Sequence, residues 1–228
     1  MLLLMTYSPD AIMNGSAALL GALIGALASY VFQILLHQKQ ENDNERLAGH
    51  RILFCLLQQT NTLLLIQKDF IYPNINKPGR MIAIPAIPDF DTTKNLFDFS
   101  SFSFLLKSKS GRKVMYDLYL SQESYIETLR AVNLRSQFHR FELQPKLASL
   151  GYPSSFEASS TKLQSDLGIF IWGTMLNQTE QMISVLEESF LKLERSKIAF
   201  RSFAVDYFET DDFTNFDFPE RWGIRKAN

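Results

Sequence analysis

The sequence predicts an all-α membrane protein, in which one N-terminal transmembrane helix is followed by an antiparallel helical bundle in the cytoplasm. Three observations support this prediction. Residues 15 to 36 contain no charged side chain, no Lys or Arg precedes Lys39, and apolar residues in the second half of the chain recur at helical spacing. The 228 residues leave room for one compact domain beside the membrane segment.

The first element is the apolar segment of residues 15 to 36, within a predicted anchor that covers residues 1 to 38. A helix of about 22 residues is about 33 Å long, which is enough to cross the hydrocarbon core of a bilayer. A cleaved signal peptide is the alternative, because the triplet Ala26-Leu27-Ala28 resembles a cleavage site. The basic start of a signal peptide is missing, however, and the apolar run continues to Leu36, so an uncleaved anchor is favoured.

The charges beside this segment predict its orientation. All 23 basic residues lie after it, and Lys39, Arg46 and Arg51 follow it closely. Because basic residues are retained on the cytoplasmic side, the anchor is expected to cross a bacterial inner membrane once, with the C-terminal domain in the cytoplasm. The single cysteine, Cys55, agrees with a reducing compartment and is expected to be a buried, inert thiol.

Small residues form a ridge on the apolar helix. Ala17, Gly21, Gly25 and Ser29 recur every four residues, and Gly21 and Gly25 form a GxxxG pair. Such a ridge allows two membrane helices to approach until their backbones are in contact. The functional interpretation is self-association within the membrane lipid. The alternative is that Gly and Ala are simply common in membrane helices.

The rest of the chain is predicted to be mostly helical. Residues 39 to 50 are a polar connector or carry the anchor helix outward, and residues 51 to 207 form the bundle. Its first helix, residues 51 to 71, has a polar middle that disfavours a second crossing of the membrane. Half of the eight prolines fall within residues 72 to 92, which predicts an extended excursion. Further helices are predicted at residues 93 to 106, 112 to 141 and 161 to 207.

The sequence contains no recognisable catalytic or metal-binding motif. His37, His50 and His139 are scattered, and no cysteine pair is present. No nucleotide-binding glycine loop occurs outside the apolar segment. We therefore predict a non-enzymatic protein without a metal or cofactor, and a hydrolase with unrecognised residues is the remaining alternative.

Two basic clusters and an aromatic tail are candidate contact sites. Either cluster could meet RNA, anionic lipid or a cytoplasmic protein. A solvated turn and pairing with helix dipoles are the simpler interpretations. The tail, residues 208 to 228, combines acids with aromatic side chains that either dock onto the bundle or anchor a partner. The residues concerned are Lys107, Lys109, Arg112 and Lys113 in the first cluster, Arg130, Arg135 and Arg140 in the second, and Phe213, Phe216, Phe218 and Trp222 in the tail.

A resemblance covers the chain between about Gly15 and Gly151. Its parts are the span GALIGALASYVFQILLHQKQ, then SFSFLL, then YLSQESYIETLRAVNLRSQFH and FELQPKLASLG. This order of helices resembles a group of bacterial single-span membrane proteins. Proteins of this general build include the membrane effectors of retron anti-phage systems, which are small partners of a reverse transcriptase and its RNA–DNA product. The resemblance implies that activation damages the inner membrane and stops growth of the infected cell. Those effectors have two crossings, whereas this sequence predicts one.

These observations predict a membrane-anchored effector that a cytoplasmic partner, such as a reverse transcriptase–nucleic acid complex, holds inactive. Assembly through the small-residue ridge would activate it. The alternative is a passive anchor or scaffold that recruits a cytoplasmic partner through its bundle or its aromatic tail. An effector is expected to depolarise cells on overexpression, whereas a scaffold is expected to be tolerated.

Overall fold

A computed structural model of the chain describes residues 9 to 152 and 159 to 216. Within these ranges the regular structure is helical and no strand occurs, so the prediction of an all-α fold is confirmed. The α-helices, α1 to α5, are Pro9–Ile66, Arg80–Ala83, Lys109–Phe138, Gln144–Ser149 and Ser160–Phe208. Short π-helical turns extend α1 over Gln67–Ile71 and α3 over His139–Leu143, and 3-10 helices occupy Tyr72–Asn74 and Phe99–Lys107.

The chain divides into two units, Met1–Leu47 and Ala48–Asn228. Helix α1 belongs to both, since it continues without interruption from the apolar segment into the second unit. Residues 39 to 50, which the sequence suggests as a polar connector, are therefore helical. We call the described part of the second unit, residues 48 to 152 and 159 to 216, the helical domain.

The first unit presents an apolar helix that the described part of the chain does not cover. Every residue from 19 to 44 is exposed, including large side chains such as Ile24 and Phe32, which are 66% and 67% exposed. Among the described residues, this helix is the one that is long and apolar enough to cross a membrane. Lipid provides the environment in which such side chains are stable.

Helices α3 and α5 form an antiparallel pair in the helical domain. Three hydrogen bonds fix their direction, because the positions rise along α3 as they fall along α5. The bonded pairs are Asp117 with Ser196, Thr128 with Val185, and Arg135 with Thr179, at 3.1, 3.1 and 3.4 Å. Most residues whose spacing predicted these helices line buried faces, whereas Met115 is half-buried and Leu176 is 40% exposed. The buried apolar ones are Leu118, Tyr125, Leu129 and Val132 on α3, and Ile183, Leu186, Phe190, Leu193 and Phe200 on α5.

The segment of residues 84 to 98, which includes the end of the proline-rich region, has neither helix nor strand and is held by side chains of α3. The Asn133 carboxamide accepts a hydrogen bond from the Phe90 N–H and donates one to the Phe90 carbonyl, each at 2.8 Å. Two further backbone N–H groups are paired in the same way, that of Ile87 with Ser136 Oγ and that of Phe97 with Gln122 Oε1. Because buried backbone groups require partners, these polar side chains allow the segment to cover the core without a neighbouring strand.

A glycine interrupts α5 near its beginning. Gly168 has φ 77° and ψ 160°, a conformation that residues with a Cβ rarely adopt. The residues on both sides of the break contribute to a small second core, which contains Met81, Leu143, Leu147, Leu163, Leu167 and Met175. The main core combines buried residues of α1, α3, α5 and the segment between residues 84 and 105.

Candidate functional site

The small-residue ridge lies on the uncovered part of α1. Gly21, Gly25 and Ser29 are exposed, and a Cβ added at either glycine would meet nothing within 4 Å. The side chain of Ala17 lies outside the described residues. The described part of the ridge is therefore open to close approach by a second helix.

The first basic cluster lies where the 3-10 helix of Phe99–Lys107 leads into α3. Lys107, Lys109, Arg112 and Lys113 are all exposed. The Arg112 guanidinium donates through Nη1 to the backbone carbonyl of Leu106 at 3.0 Å, which holds its side chain beside the turn. The structure thus leaves these four cations exposed at the beginning of α3.

The second basic cluster is divided by the structure. Arg130 is exposed, and Arg140 forms an ion pair with Asp89 at 2.5 Å. Arg135, in contrast, is fully buried. The prediction that Arg135 contacts a partner is therefore wrong. Arg135 lies on the inward face of α3, where its charged group contacts other parts of the domain.

The buried guanidinium of Arg135 binds the backbone of the segment that precedes Ile87. It donates to the carbonyl oxygens of Pro85 and Met81 at 2.5 and 2.9 Å, and also to that of Ile84. Burial lowers the pKa of Arg135 to about 10, so the side chain remains charged at neutral pH. Carbonyl dipoles take the place of a carboxylate partner for this charge.

His139 lies one turn beyond Arg135 and is also buried. Burial, followed by the nearby charge of Arg135, lowers the pKa of His139 to about 4. The imidazole is consequently neutral at physiological pH. Its Nε2 lies 3.5 Å from Nε2 of Gln144, and its Nδ1 is buried and has no hydrogen-bond partner in the described part of the chain.

Cys55 is half-buried and donates a hydrogen bond through Sγ to the backbone carbonyl of Asn95 at 3.2 Å. Burial raises the pKa of Cys55 to about 12, so the thiol is protonated and a poor nucleophile. It borders an open depression of about 530 Å³ whose lining also includes His50, Phe54 and Leu96. Among the described residues, no group of three or more His, Cys, Asp or Glu side chains is placed to hold a metal ion.

The first part of the aromatic tail is packed on the helical domain. Phe213 is 2% exposed and stacks on His50, with ring centroids 4.8 Å apart. It also lies against Gly49, where an added Cβ would be 2.9 Å from the ring. Phe213 therefore docks onto the protein's own helical domain, as one of the two interpretations of the tail predicts. While it is packed there, its ring cannot anchor a partner.

Phe216 is held beside α5 by a lysine that sequence analysis did not single out. The ammonium of Lys197 lies 4.8 Å from the centroid of the Phe216 ring and donates to the Phe216 backbone carbonyl. Lys197 falls at the same three-to-four spacing as the buried apolar residues of α5. From this position the sequence could have predicted that its side chain faces the domain interior. Phe218 and Trp222 lie outside the described residues.

Three large apolar side chains, which sequence analysis also missed, are exposed just after the end of α3 and at the glycine break in α5. Phe141, Ile169 and Phe170 are 68%, 86% and 70% exposed. The rings of Phe138 and Phe170 are 6.3 Å apart, which connects the two helices at this point. The glycine break at Gly168 immediately precedes Ile169, and a glycine inside a predicted helix was the signal for an irregularity there.

The geometry thus provides an open helical ridge, an exposed basic surface, a packed first part of the tail and three exposed apolar side chains. Comparison of the chain with protein-family models, curated proteins and solved structures finds no match.

Proposed function

We propose that this protein is a non-enzymatic effector of the bacterial inner membrane, which assembles through α1 and disrupts the membrane under the control of a cytoplasmic partner. The observation that supports this proposal is the open ridge at Gly21 and Gly25, on an apolar helix that the described chain leaves uncovered. The resemblance to retron effectors stays a prediction. It proposes a reverse transcriptase–nucleic acid complex as the controlling partner.

The choice of residues on the ridge favours association over simple anchoring. A passive anchor requires only apolar side chains, and leucine would serve at each position. Glycine at 21 and 25 gives up contact with lipid tails, and it exposes backbone that a second helix can approach closely. Since lipid is as apolar as leucine, such close packing is what drives helices together in a membrane.

The position of the helical domain suggests how assembly is controlled. The bases that follow the apolar segment begin at Lys39, and the positive-inside rule therefore favours a cytoplasmic position for the domain. A partner that binds the domain there holds single copies apart, and its release permits the ridges to meet. This arrangement requires binding but no chemistry within the domain.

Membrane potential in a heterologous bacterial host tests the proposal. Expression of the full chain should depolarise the cells, and Gly21→Leu or Gly25→Leu should abolish the effect at equal protein levels. Leu23→Phe is the matched control, because it adds bulk to the opposite side of the same helix and should leave depolarisation intact. An unchanged potential with the full chain, or full activity in both glycine variants, would contradict the effector function.

A scaffold is the second candidate, and the exposed side chains of Phe141, Ile169 and Phe170 favour it. Large apolar side chains at this level of exposure are typical of protein contact sites. A scaffold should leave the membrane potential intact and should capture a cytoplasmic protein. The double variant Ile169→Ser, Phe170→Ser should lose that protein, whereas Gly21→Leu should retain it.

A further inference from the structure

We propose that one exposed face of the helical domain lies on the anionic lipid head groups of the membrane that α1 crosses. This lipid face consists of Leu106 and five residues in the first three turns of α3, which are Lys109, Arg112, Lys113, Tyr116 and Leu120. The inference rests on the cytoplasmic placement in the proposed function. It deepens that function by naming where the domain meets the bilayer.

The composition of the lipid face is that of an interfacial surface. The helical residues recur every three or four positions, so they share one side of α3. Leu106, Tyr116 and Leu120 are 51%, 61% and 37% exposed, and the three cations between them are exposed as well. Lysine and arginine stems, tyrosine rings and leucine side chains together suit the boundary between head groups and acyl chains.

Charge is distributed unevenly along this side of α3. The cations lie in its first turns, whereas the exposed carboxylates of Glu123 and Glu127 follow further along the helix. Asp117 lies between them in sequence, but it is half-buried on the side where its backbone carbonyl accepts from Ser196 of α5. The positive excess is local, because the whole chain has a net charge of −1.

Helix stability does not account for these cations. The N-terminus of a helix carries partial positive charge, so carboxylates are favoured there and cations are disfavoured. The first turn of α3 contains no acid, and it contains Lys109 and Arg112 instead. An anion outside the protein supplies the compensation that the helix does not, and anionic head groups attract basic segments in this way.

Ring contacts place the beginning of the lipid face at the end of the domain where the chain enters. His50 stacks on Phe213, Phe213 contacts Phe208 at 5.4 Å, and Phe208 contacts Phe104 at 5.6 Å between centroids. Phe104 precedes Leu106 by two residues.

Carboxylates at the end of α5 limit the contact to the outer side of α3. Asp206 and Glu209 are exposed there, and Asp211 pairs with Arg201 at 2.5 Å. Anionic lipid repels this neighbouring surface. Attraction on one side and repulsion on the other favour a single orientation of the face on the membrane.

The test uses the full chain in lipid nanodiscs, with Cys55→Ser as background and Leu120→Cys labelled with a polarity-sensitive fluorophore. Discs of phosphatidylcholine alone are compared with discs rich in phosphatidylglycerol. We expect a blue shift of the emission only with phosphatidylglycerol. High salt and the triple variant K109E, R112E, K113E should each abolish the shift, because both remove the attraction.

A label at Leu134→Cys provides the control, since Leu134 is 55% exposed on the same helix beyond Glu127. It should give no lipid-dependent shift. An equal shift at both positions, or none at residue 120, would overturn the proposal. A response of the residue 120 label to added RNA in neutral discs, with none to phosphatidylglycerol, would assign the face to nucleic acid instead.

The two proposals fail in different ways. Depolarisation of cells without a lipid-dependent shift overturns the lipid face and leaves the effector function in place. A lipid-dependent shift without depolarisation supports the lipid face and contradicts the effector function.

Discussion

Nη1 of Arg135 lies 2.5 Å from the backbone carbonyl oxygen of Pro85, and the guanidinium also binds the carbonyls of Met81 and Ile84. A guanidinium carries five N–H donors in a rigid plane, so one side chain can satisfy several carbonyls at once. This contact joins the C-terminal half of α3 to the segment that covers the core. It supplies the hydrogen bonds that a strand partner would otherwise provide.

Replacement of Arg135 by Met should strongly destabilise the helical domain. The carbonyls of Met81 and Ile84 would remain buried without this donor, which we expect to lower the free energy of unfolding by about 3 to 5 kcal/mol. Arg135→Lys should also destabilise, since an ammonium group cannot reproduce the planar set of donors. Denaturant unfolding of the detergent-solubilised full chain, followed by circular dichroism, measures both effects.

The matched control is Arg130→Met, on the same helix but exposed. It should change the free energy of unfolding by no more than about 0.5 kcal/mol. Similar losses at both positions would show that positive charge on α3, and not the buried hydrogen bonding, is what matters.

Gly111 is a second position where the turn before α3 constrains the sequence. An added Cβ would lie 2.2 Å from the backbone oxygen of Leu105. Gly111→Ala should therefore lower the free energy of unfolding by about 2 to 3 kcal/mol. Gly173→Ala, in α5 with no atom within 4 Å of the added Cβ, should raise it by about 0.5 to 1 kcal/mol. If both variants changed the free energy of unfolding in the same direction, the close approach at Gly111 would not be what distinguishes the two glycines.

The helical class and the long apolar helix were predictable because both depend on local patterns. Charge-free length identifies a helix that is long enough to span a membrane, and three-to-four spacing identifies the buried faces of α3 and α5. The role of Arg135 was not predictable in this way. Its carbonyl partner at Pro85 is 50 residues away in sequence, and a basic residue near a helix end ordinarily indicates a surface.

The role of Asn133 was also not predictable, because its hydrogen-bond partner Phe90 is 43 residues away in sequence. Sequence reasoning left the tail open between docking and partner binding, because aromatic side chains among acids suit both. Packing at Gly49 decides the question for Phe213, and this contact depends on two segments that lie far apart in the chain. The exposure of Ile169 and Phe170 depends on the conformation of Gly168, which periodicity does not reveal.

His139 should make stability depend on pH. Its folded-state pKa is about 4 against an ordinary value of 6.5, so between these values the unfolded state binds the proton more readily. The free energy of unfolding should therefore fall as the pH falls through this window, by up to about 1.4 kcal/mol per pH unit. His139→Leu should remove this part of the slope in denaturant unfolding at a series of pH values, whereas His37→Leu should retain it. An unchanged slope in His139→Leu would assign the pH dependence to other groups.

Packing of the tail at Gly49 predicts that Gly49→Ala changes the free energy of unfolding in opposite directions with and without the Phe213 ring. Phe213→Ala should lower the free energy of unfolding by about 3 kcal/mol, because a nearly fully buried ring is lost. Gly49→Ala alone should cost about 1 kcal/mol, since its Cβ would lie 2.9 Å from that ring. In the Phe213→Ala background the same change should stabilise by about 0.5 to 1 kcal/mol, because alanine is the better helix former and the obstacle is gone.

A double-mutant cycle of these two changes, measured by denaturant unfolding, separates the tail from the rest of the core. Phe200 is the other ring near the added Cβ of Gly49, at 3.6 Å, which is an ordinary contact distance. If Gly49→Ala were equally destabilising with and without the Phe213 ring, the constraint would come from Phe200 and the helix itself. A change of sign would instead establish that the tail is packed against α1 in solution, because only removal of Phe213 relieves the close approach.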